Sequence, residues 1–552
     1  MSGLVIILIA IVVLGAGYLL YGRHLANKWG IDPGAKTPAY TENDGVDYVP
    51  GAPGVVFGHQ FASIAGAGPI NGPIQAAMFG WLPVLLWIFI GGVFIGGVQD
   101  FAAMYASVKN KGRSIGYIIE LYIGKLGKKL FLAFTWLFSI LVTAAFADIV
   151  AKTFNGVGGT PEANLAGGQV SMTSVLFIFL AVALGFILRS GKLSTALNTV
   201  ITVLFLVLSV ALGMLLPVYL DTNTWHIITF IYIAIASVTP VWALLQPRDY
   251  LNSYLLVAMI LLAAGGIIVA NPTMQLTGFA GWQVNGQTIF PYLFVTVACG
   301  AVSGFHALVA SGTASKQVQN ERHMLPISYG AMMMECLLAV ISIVAVGACY
   351  TTQTLAGAGT PTVVFANSIS GFLTDIGLPA SLSYTLLTLA VSAFALTSLD
   401  SVARIGRLSW QEMFLDSSIA DSDIKGLRAL AVNKYFATLV TLVFAYSLAK
   451  VGYANIWPLF GSANQLLSAL ALIACAVYLK RTKRRGAYLW VPMFLMLAVT
   501  LTMLVITVIT RREGNLMFGD ILQVVIAIAL FILGVIVAVS GIRKLFAPQT
   551  EE

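Results

Sequence analysis

Two histidines lie beside clusters of small residues in two separate apolar segments of this chain. His59 precedes the first cluster, within residues 57–73, and His306 precedes the second, within residues 298–315. Glycine and proline loosen a helix, and a backbone amide or carbonyl that is freed in lipid is costly unless protein or water binds it. Broken helices are therefore expected where they line an interior cavity, and a histidine there can accept a proton or donate a hydrogen bond to a ligand.

The residues around the two interruptions predict a substrate-binding site. Paired interruptions in corresponding places of two halves are typical of a transporter's substrate site. The alternative is close helix packing through small residues, for which Gly68 and Gly72 have the typical spacing. Polar side chains in the same segments favour binding. The residues predicted to bind substrate are His59, Gln60, Gly66, Gly68, Asn71, His306, Ser311 and Thr313.

Four carboxylates, Asp100, Asp148, Glu335 and Asp400, lie within or near the ends of apolar segments, where an ionisable group is costly and is therefore a functional candidate. Glu335 is the deepest by position, and burial favours the protonated form of a carboxylate, which a proton carrier needs. A structural ion pair is the alternative for Asp100 and Asp400, since Arg404 follows Asp400 by one helical turn. Hydroxyl oxygens beside Asp400 suit a hard cation such as sodium. The residues predicted to couple an ion are Asp100, Glu335, Thr397, Ser398, Asp400 and Ser401.

The sequence indicates neither a bound cofactor nor a catalytic site. Its five histidines do not form a local metal motif such as HExxH, and it has no P-loop through which ATP could drive it directly. We therefore expect no metal, no cofactor and no catalytic residue. An intramembrane enzyme or redox protein would need a catalytic dyad or paired haem ligands, and neither is evident.

The composition is that of a protein embedded in a membrane. Of the 552 residues, 59% are hydrophobic and 9% are charged, whereas a soluble domain carries roughly 25% charged residues. A run of about 20 apolar residues can cross a bilayer as a helix. The sequence predicts an all-α polytopic membrane protein with about fifteen transmembrane runs: 3–22, 54–78, 80–106, 130–151, 171–188, 195–217, 225–243, 251–271, 288–315, 325–350, 378–403, 430–449, 456–479, 487–510 and 519–542.

The positive charges are distributed unevenly between alternate loops. With the N-terminus outside and each run crossing once, four of the 30 Lys and Arg residues lie outside: Lys152, Lys450, Arg511 and Arg512. Inner loops of membrane proteins carry an excess of Lys and Arg. The sequence therefore predicts an outside N-terminus and a cytoplasmic C-terminus in the cell (inner) membrane. This distribution accounts for the net charge of +8 without a nucleic-acid partner.

The two interrupted segments run in opposite directions across the predicted membrane, as an inverted-topology repeat requires. We expect two inverted five-helix repeats with discontinuous helices, one beginning at each interruption. The predicted division of the chain is a first span with a cytoplasmic loop, 1–53; the first repeat, 54–217; two intervening spans, 218–287; the second repeat, 288–479; and two C-terminal spans, 480–552.

Several long motifs resemble one family of membrane proteins. They are DGVDYVP (44–50), FGHQFASIAGAGPINGP (57–73), FGWLPVLLWIFIGGVFIGGVQDFAAM (79–104), KGRSIG (111–116), SGFHALVASGTASKQ (303–317) and SLDSVARIGR (398–407). On these stretches the chain resembles the carbon-starvation protein A (CstA) family of peptide and pyruvate transporters. It departs from the family pattern at His59-Gln60, where two adjacent histidines are common, and at Gln99-Asp100, where His precedes Asp.

The resemblance implies cation-coupled uptake of short peptides or pyruvate during nutrient limitation. It also implies kinship with the LeuT-like transporters of the APC superfamily, which are built from two inverted five-helix repeats. The predicted function is a secondary active transporter whose partners are a small-molecule substrate, a coupling proton or sodium ion, and the lipid bilayer. The alternative is a membrane nutrient receptor or channel without concentrative transport.

Cysteine labelling of intact cells tests the predicted topology. Single cysteines placed near residues 160 and 360, on a cysteine-free background, should react with an impermeant reagent added outside, because the charge distribution places both loops outside. A cysteine near residue 483 should react after the membrane is opened. Protection of the first two positions together with labelling of the third in intact cells would reverse the topology.

Overall fold

The computed structural model describes residues 1–44, 48–190, 194–239, 244–355, 357–414, 426–484, 486–512 and 518–547, and these residues are mostly helical. Lys192, Lys425 and Arg485, which the charge distribution places inside, lie outside the described residues. Helices in the first half of the chain are α1 (Gly3–Ala16), α2 (Arg23–Trp29), α3 (Pro38–Thr41), α4 (Pro53–Ile64), α5 (Gly68–Ala76), α6 (Trp81–Gly91), α7 (Gly97–Lys109), α8 (Ile115–Tyr122), α9 (Lys125–Thr153), α10 (Pro161–Ser190), α11 (Thr195–Leu215), α12 (Thr222–Val238) and α13 (Leu245–Ala270).

A short hairpin of β1 (Gln283–Val284) and β2 (Gln287–Thr288), paired antiparallel, separates the two halves. Helices in the second half are α14 (Phe294–Val297), α15 (Gly304–Gly312), α16 (Ala331–Cys349), α17 (Thr352–Leu355), α18 (Pro361–Asp375), α19 (Ala380–Phe414), α20 (Leu427–Val432), α21 (Lys434–Ala449), α22 (Tyr453–Arg481), α23 (Trp490–Arg512) and α24 (Phe518–Phe546). Short π-helical turns join several of them into longer rods, as Gly92–Gly96 does between α6 and α7.

Within the described ranges, twelve helices are long and apolar enough to cross a bilayer. Two shorter apolar helices, Thr222–Val238 and Lys434–Ala449, correspond to two further predicted runs. The predicted run 54–78 is divided between α4 and α5 by a non-helical turn. The protein is therefore a helical, multi-pass membrane protein.

The segment between residues 351 and 377 lies in none of the predicted apolar runs, yet it contains the helix α18. Thr360 caps the first turn of α18 by accepting a hydrogen bond from the Val363 amide, and Pro361 occupies the first helical position, where its missing N–H costs nothing. Phe365 and Ile369 of α18 are buried. No span is predicted here, because the 15 residues of α18 mix polar and apolar side chains and do not form a run of about 20 apolar residues.

The centre of the protein is formed by α22, α9 and α19. The membrane-spanning part of α22 is completely buried, and that of α19 is nearly so. Outer helices such as α11 expose large apolar side chains, among them Val200, Leu204 and Val207. Exposed apolar surface of this kind suits contact with lipid. The polar residues that could do chemistry therefore lie on inner helices.

Asp148, near the C-terminal end of α9, contacts residues of two other helices, α12 and α22. It lies at the end of α9 that is farther from the basic residues Lys125, Lys128 and Lys129. One oxygen lies 3.1 Å from Nε2 of His226 on α12, and the other accepts hydrogen bonds from Lys152 Nζ at 2.8 Å and from the Tyr453 amide of α22 at 2.6 Å. A buried carboxylate needs such partners. This contact fixes the end of α9 to α12 and α22.

The first residues of α5 approach α14 too closely for any side chain at Gly72. A Cβ atom there would lie 2.6 Å from the Val297 carbonyl oxygen and 2.7 Å from the Thr296 carbonyl oxygen. Because both obstacles are backbone atoms, neither can rotate away. Gly72 therefore permits the contact between the two interrupted segments.

Gly72→Ala should destabilise the protein by about 1–3 kcal/mol, since the added methyl group would push α5 from α14. Gly265→Ala is the matched control, because Gly265 also lies within a helix and has no atom within 4 Å of the added Cβ. That variant should be unchanged or slightly stabilised. Thermal unfolding in detergent measures both, and equal midpoints for the two variants would contradict the close approach.

Candidate functional site

Both predicted interruptions are breaks in the structure. The first is the turn Ala65–Ala67, between the end of α4 and the start of α5 at Gly68. The second runs from Ala298 to Ser303, between α14 and the start of α15 at Gly304. The breaks touch, because a Cβ at Gly68 would lie 2.7 Å from the Cys299 side chain. Helices α5 and α15 therefore both begin inside the protein. The free backbone amides at their N-termini stabilise a negative charge nearby.

An ionisable cluster lies at the second break. His306 Nδ1 is 3.1 Å from Asp100 Oδ2, and His306 Nε2 is 3.2 Å from Glu335 Oε2. The three side chains come from α15, α7 and α16, and all are fully buried. We call these three residues the acid–histidine cluster. His306 thus bridges two carboxyl groups that are distant in the sequence.

Neutral polar groups hold one side of the acid–histidine cluster in place. Gln99 Nε2 donates to Asp100 Oδ1 at 3.1 Å and to the Ser303 carbonyl at 2.6 Å, and the Ser468 hydroxyl donates to Gln99 Oε1. Asn464 accepts from the Phe305 amide at 3.1 Å, which satisfies one of the free amides at the start of α15. These contacts connect α7, α15 and α22 around Asp100.

The other side of the acid–histidine cluster is less satisfied. Neither oxygen of Glu335 accepts a well-aligned hydrogen bond from the described part of the protein, although His306 is near. The amide groups of Gln60 on α4 and Asn71 on α5 likewise have no hydrogen-bond partner among the described residues, and both are fully buried. Because α4 and α5 pack against α16, unsatisfied polar groups are concentrated around the first break. Such groups are available to bind water or a ligand.

A small central cavity lies where the two breaks meet. Its volume is about 20 Å³, enough for one water molecule, which needs roughly 10–15 Å³. Phe138, Phe146, Phe305 and Phe460 form much of its wall. The remaining lining residues are Ile64, Gly66, Gly68, Val142, Cys299, Ser398, Val402 and Asn464.

A larger cavity, which we call the vestibule, lies toward the end of the bundle that carries the basic loops. Its volume is about 270 Å³. The polar residues that line it are His59, Ser63, Ser114, Thr135, Asp249, Thr313, Lys316, Ser401, Arg404, Ser409 and Glu412. Side chains of both charges therefore face one space.

The vestibule and the central cavity are lined by the same four helices, α4, α9, α15 and α19. Thr135 and Phe138 are neighbours on α9, and Leu308 and Phe305 are neighbours on α15. Each pair is about one helical turn apart. The vestibule therefore lies close to the central cavity along α9 and α15, and Phe138 and Phe305 line the central cavity at this point.

The predicted substrate residues do not form one group in the structure. His59 lines the vestibule, where its Nε2 is 3.3 Å from Thr313 Oγ1 and its Nδ1 is 3.8 Å from Asp249. Gly66 and Gly68 line the central cavity. His306 belongs to the acid–histidine cluster, so the two histidines face different surroundings in this conformation. Ser311 instead joins α15 to α8, donating to the Ala307 carbonyl and accepting from the Ile115 amide.

Asp400 has a different partner from the one that its sequence suggested. The expected structural partner was Arg404, but Asp400 forms its ion pair with Arg248 of α13 and accepts a hydrogen bond from Tyr232 at 2.6 Å. Arg248 also contacts Asp249 at 3.1 Å. We call Tyr232, Arg248, Asp249 and Asp400 the arginine cluster. Arg404 instead donates to the Ala236 and Thr239 carbonyls.

The hydroxyl groups predicted to surround an ion are dispersed. Thr397 accepts a hydrogen bond from Asn252 and donates to the Ala393 carbonyl. Ser398 lines the central cavity and Ser401 lines the vestibule. Among the residues that the structure describes, no group of three or more His, Cys, Asp or Glu side chains is arranged to hold a metal ion.

Asn464, Arg248 and Asp249 belong to these sites but were not predicted. Asn464 lies in the apolar run of α22, where a polar side chain is itself a signal. Arg248 and Asp249 precede the apolar part of α13, where charged residues usually indicate a surface loop. Their burial depends on α12 and α19 packing over them, which no local pattern indicates.

The chain is similar to proteins of one family along most of its length. The family model described as carbon starvation protein CstA matches residues 2–353 and 347–503. The peptide transporter CstA of Campylobacter jejuni is 32% identical, over 93% of this chain and 81% of that protein. The pyruvate/proton symporter BtsT of Escherichia coli is also 32% identical, over 89% and 79%. The peptide transporter CstA of Bacillus subtilis is 29% identical, over 99% and 97%.

The solved structures that are similar to the chain are more distant. MhsT in complex with L-phenylalanine aligns over 88% of this chain and 98% of that chain, with 13% sequence identity and a TM-score of 0.48. A likeness at this level carries no argument about the site.

Arg248→Met should destabilise the protein by about 3–5 kcal/mol, because it leaves two buried carboxylates without their cation. The matched control is Lys450→Met. Lys450 is exposed and bonds the Asn223 side chain at 3.0 Å, so its loss should change stability by less than about 0.5 kcal/mol. Thermal unfolding in detergent compares the two. An Arg248→Met midpoint equal to that of the control would show that the arginine cluster does not stabilise the fold.

Proposed function

Because this chain belongs to the carbon starvation protein CstA family, we propose that it is a secondary active transporter that imports a small nutrient under nutrient limitation. The substrate is a short peptide or pyruvate, and a cation, proton or sodium, drives its accumulation. The names of the relatives support this proposal, since they describe peptide transporters and a pyruvate/proton symporter. We propose transport rather than catalysis for the same reason.

The observation that carries the proposal is the meeting of two broken helices at buried ionisable groups. Unsatisfied backbone is tolerated at membrane depth where it lines a cavity or faces other protein. The breaks between α4 and α5 and between α14 and α15 enclose the central cavity, and the acid–histidine cluster lies beside it. Helix N-termini directed into such a space favour a carboxylate.

Transport requires that the central cavity open to one side at a time. The vestibule supports this, since it lies on one side of the central cavity and shares four helices with it. We propose that the structure represents a state with its vestibule facing the cytoplasm and its central cavity closed. Movement of Phe305 and Phe138 away from each other would connect the two spaces.

We propose that the substrate is held by residues of the vestibule and the first break. His59 can donate to a carboxylate, and the cations Lys316 and Arg404 line the same space. Asp249 and Glu412 could receive the ammonium group of a peptide. Gln60 and Asn71 have unsatisfied amide groups that suit a peptide or a keto acid. An ion pair between His59 and Asp249 at 3.8 Å would keep the imidazole oriented until substrate binds.

We further propose the architecture that the sequence predicts. The count of fifteen spans consists of the twelve long helices, the broken segment of α4 and α5, and the two short helices α12 and α21. Residues 54–217 and 288–479 would form the inverted repeats of a LeuT-like transporter. The N-terminus would lie outside and the C-terminus inside, in the cell (inner) membrane.

The alternative is a membrane nutrient receptor or a channel. A measurement of concentrative uptake distinguishes a transporter from both. Purified protein in liposomes should accumulate labelled pyruvate or a labelled dipeptide when a proton or sodium gradient is imposed. A channel would equilibrate the substrate without concentrating it, and a receptor would bind it without uptake. Absence of accumulation for both substrates with both gradients would remove the proposal.

His59→Ala should weaken apparent substrate affinity about 10- to 100-fold, since a charge-assisted hydrogen bond contributes roughly 1.5–3 kcal/mol. His24→Ala is the matched control, because His24 is exposed and bonds the Tyr488 hydroxyl at 3.0 Å, outside the vestibule lining. Concentration-dependent uptake gives the affinity of each, with thermal unfolding as the check on folding. Unchanged affinity in well-folded His59→Ala would remove this residue from the substrate site.

A further inference from the structure

We infer that the coupling ion is a proton carried by the Glu335 carboxyl group, with His306 as the group that positions it. This inference rests on the proposed function, because it names the ion that drives transport. It also reassigns His306, which the sequence predicts to bind substrate. Both ring nitrogens of His306 face carboxyl groups, so neither is directed at the vestibule.

In the described part of the chain, the acid–histidine cluster has no fixed positive charge to balance two carboxylates. Two ionised carboxylates beside a neutral imidazole would place two negative charges in a fully buried space. The groups that face the cluster from neighbouring elements are uncharged: Gln99 on α7, Cys299 in the second break, Cys336 on α16, and Asn464 and Ser468 on α22. Within the described residues, no Lys or Arg forms an ion pair with Asp100 or Glu335.

Protons are what neutralises this arrangement. Burying an unpaired charge in the protein interior costs free energy. A buried ionisable group without a partner of opposite charge is therefore neutralised by gaining or losing a proton. An imidazolium balances one carboxylate, and a proton on the second carboxyl group balances the other. The closed state therefore holds an ion pair and one carboxylic acid.

The hydrogen bonds decide which carboxyl group is the acid. Asp100 accepts from Gln99 at 3.1 Å and has His306 Nδ1 at 3.1 Å, and such donors favour the charged form. Glu335 accepts no well-aligned hydrogen bond in the described part of the protein. The charge therefore belongs on Asp100 and the proton on Glu335.

The same geometry disfavours sodium at this position. A hard cation requires several oxygen ligands around it, as calcium and magnesium sites illustrate. In the acid–histidine cluster, Glu335 Oε2 lies 3.2 Å from a ring nitrogen of His306. The His306 ring therefore occupies the place beside Glu335 that the oxygen ligands of a sodium ion would need. In transport, the Glu335 carboxylate takes a proton from hydronium on one side of the membrane, so that its O–H bond forms as a hydronium O–H bond breaks. On the other side that O–H bond breaks and the proton passes back to water.

Infrared spectroscopy of the wild-type protein tests the proton directly, without transport. At neutral pH the spectrum should contain the carbonyl stretch of a protonated carboxylic acid in an apolar site. Protein made with glutamate labelled at the side-chain carboxyl carbon should show that band shifted, while carboxyl-labelled aspartate should leave it in place. A band that moves with labelled aspartate, or no such band, would overturn the inference whether or not any variant folds.

Glu335→Gln is the matching variant, and Glu120→Gln is its control. Glu120 forms an ion pair with Lys128 at 2.7 Å and lines neither the vestibule nor the central cavity. Glu335→Gln should lose the infrared band and gradient-driven accumulation, while it keeps exchange of labelled substrate at equal concentrations. Glu120→Gln should keep all three.

The outcomes separate this inference from the proposed function. Accumulation by Glu335→Gln under a proton gradient, or wild-type accumulation driven by sodium with pH held equal on both sides, would overturn the proton assignment and leave secondary transport intact. Failure of the wild type to accumulate any substrate would remove the transport function, while the labelled spectra would still decide where the proton lies.

Discussion

The low dielectric constant of the protein interior is the constraint on which this structure depends, because it forces buried charges to find partners on other helices. Asp100, His306 and Glu335 join three helices in one cluster. Arg248 and Asp400 join two more in the arginine cluster. Removing Arg248 from the arginine cluster would leave two buried carboxylates without their cation, which is more costly than never having buried the ion pair. Each cluster therefore fixes helix positions as well as supplying chemistry.

Much of the helical framework and the positions of both breaks could be predicted from the sequence, because those signals are local. Glycine and proline at 65–73 and 298–304 act on their own backbone, and long apolar runs need lipid or protein around them wherever they lie. Glu335 and Asp100 were recognisable as candidates for the same reason, since an ionisable side chain in an apolar run is unusual in any context. Hydropathy alone did not predict the helix α18, because its 15 residues mix polar and apolar side chains and do not form an apolar run.

The pairing of side chains could not be predicted, because it depends on how distant helices pack. Asp400 has Arg404 one turn away in sequence, yet its partner is Arg248 on another helix. The two carboxyl groups beside the ring nitrogens of His306 come from α7 and α16, which are distant from it in the sequence. The sequence also could not predict that the amide groups of Gln60 and Asn71 have no hydrogen-bond partner among the described residues. Whether a buried amide group is hydrogen-bonded depends on which residues pack around it.

The contact of Asp148 with α12 and α22 has a mechanical consequence for α9. This helix contains 29 residues and is therefore about 43 Å long, and it forms part of the wall of both cavities. A stiff rod that is pinned at one end turns about that end, so its displacement increases with distance from the pivot. Phe146, close to Asp148, would move least, and Phe131, at the vestibule, would move most. A small change in the tilt of α9 about Asp148 would therefore produce its largest displacement at the vestibule.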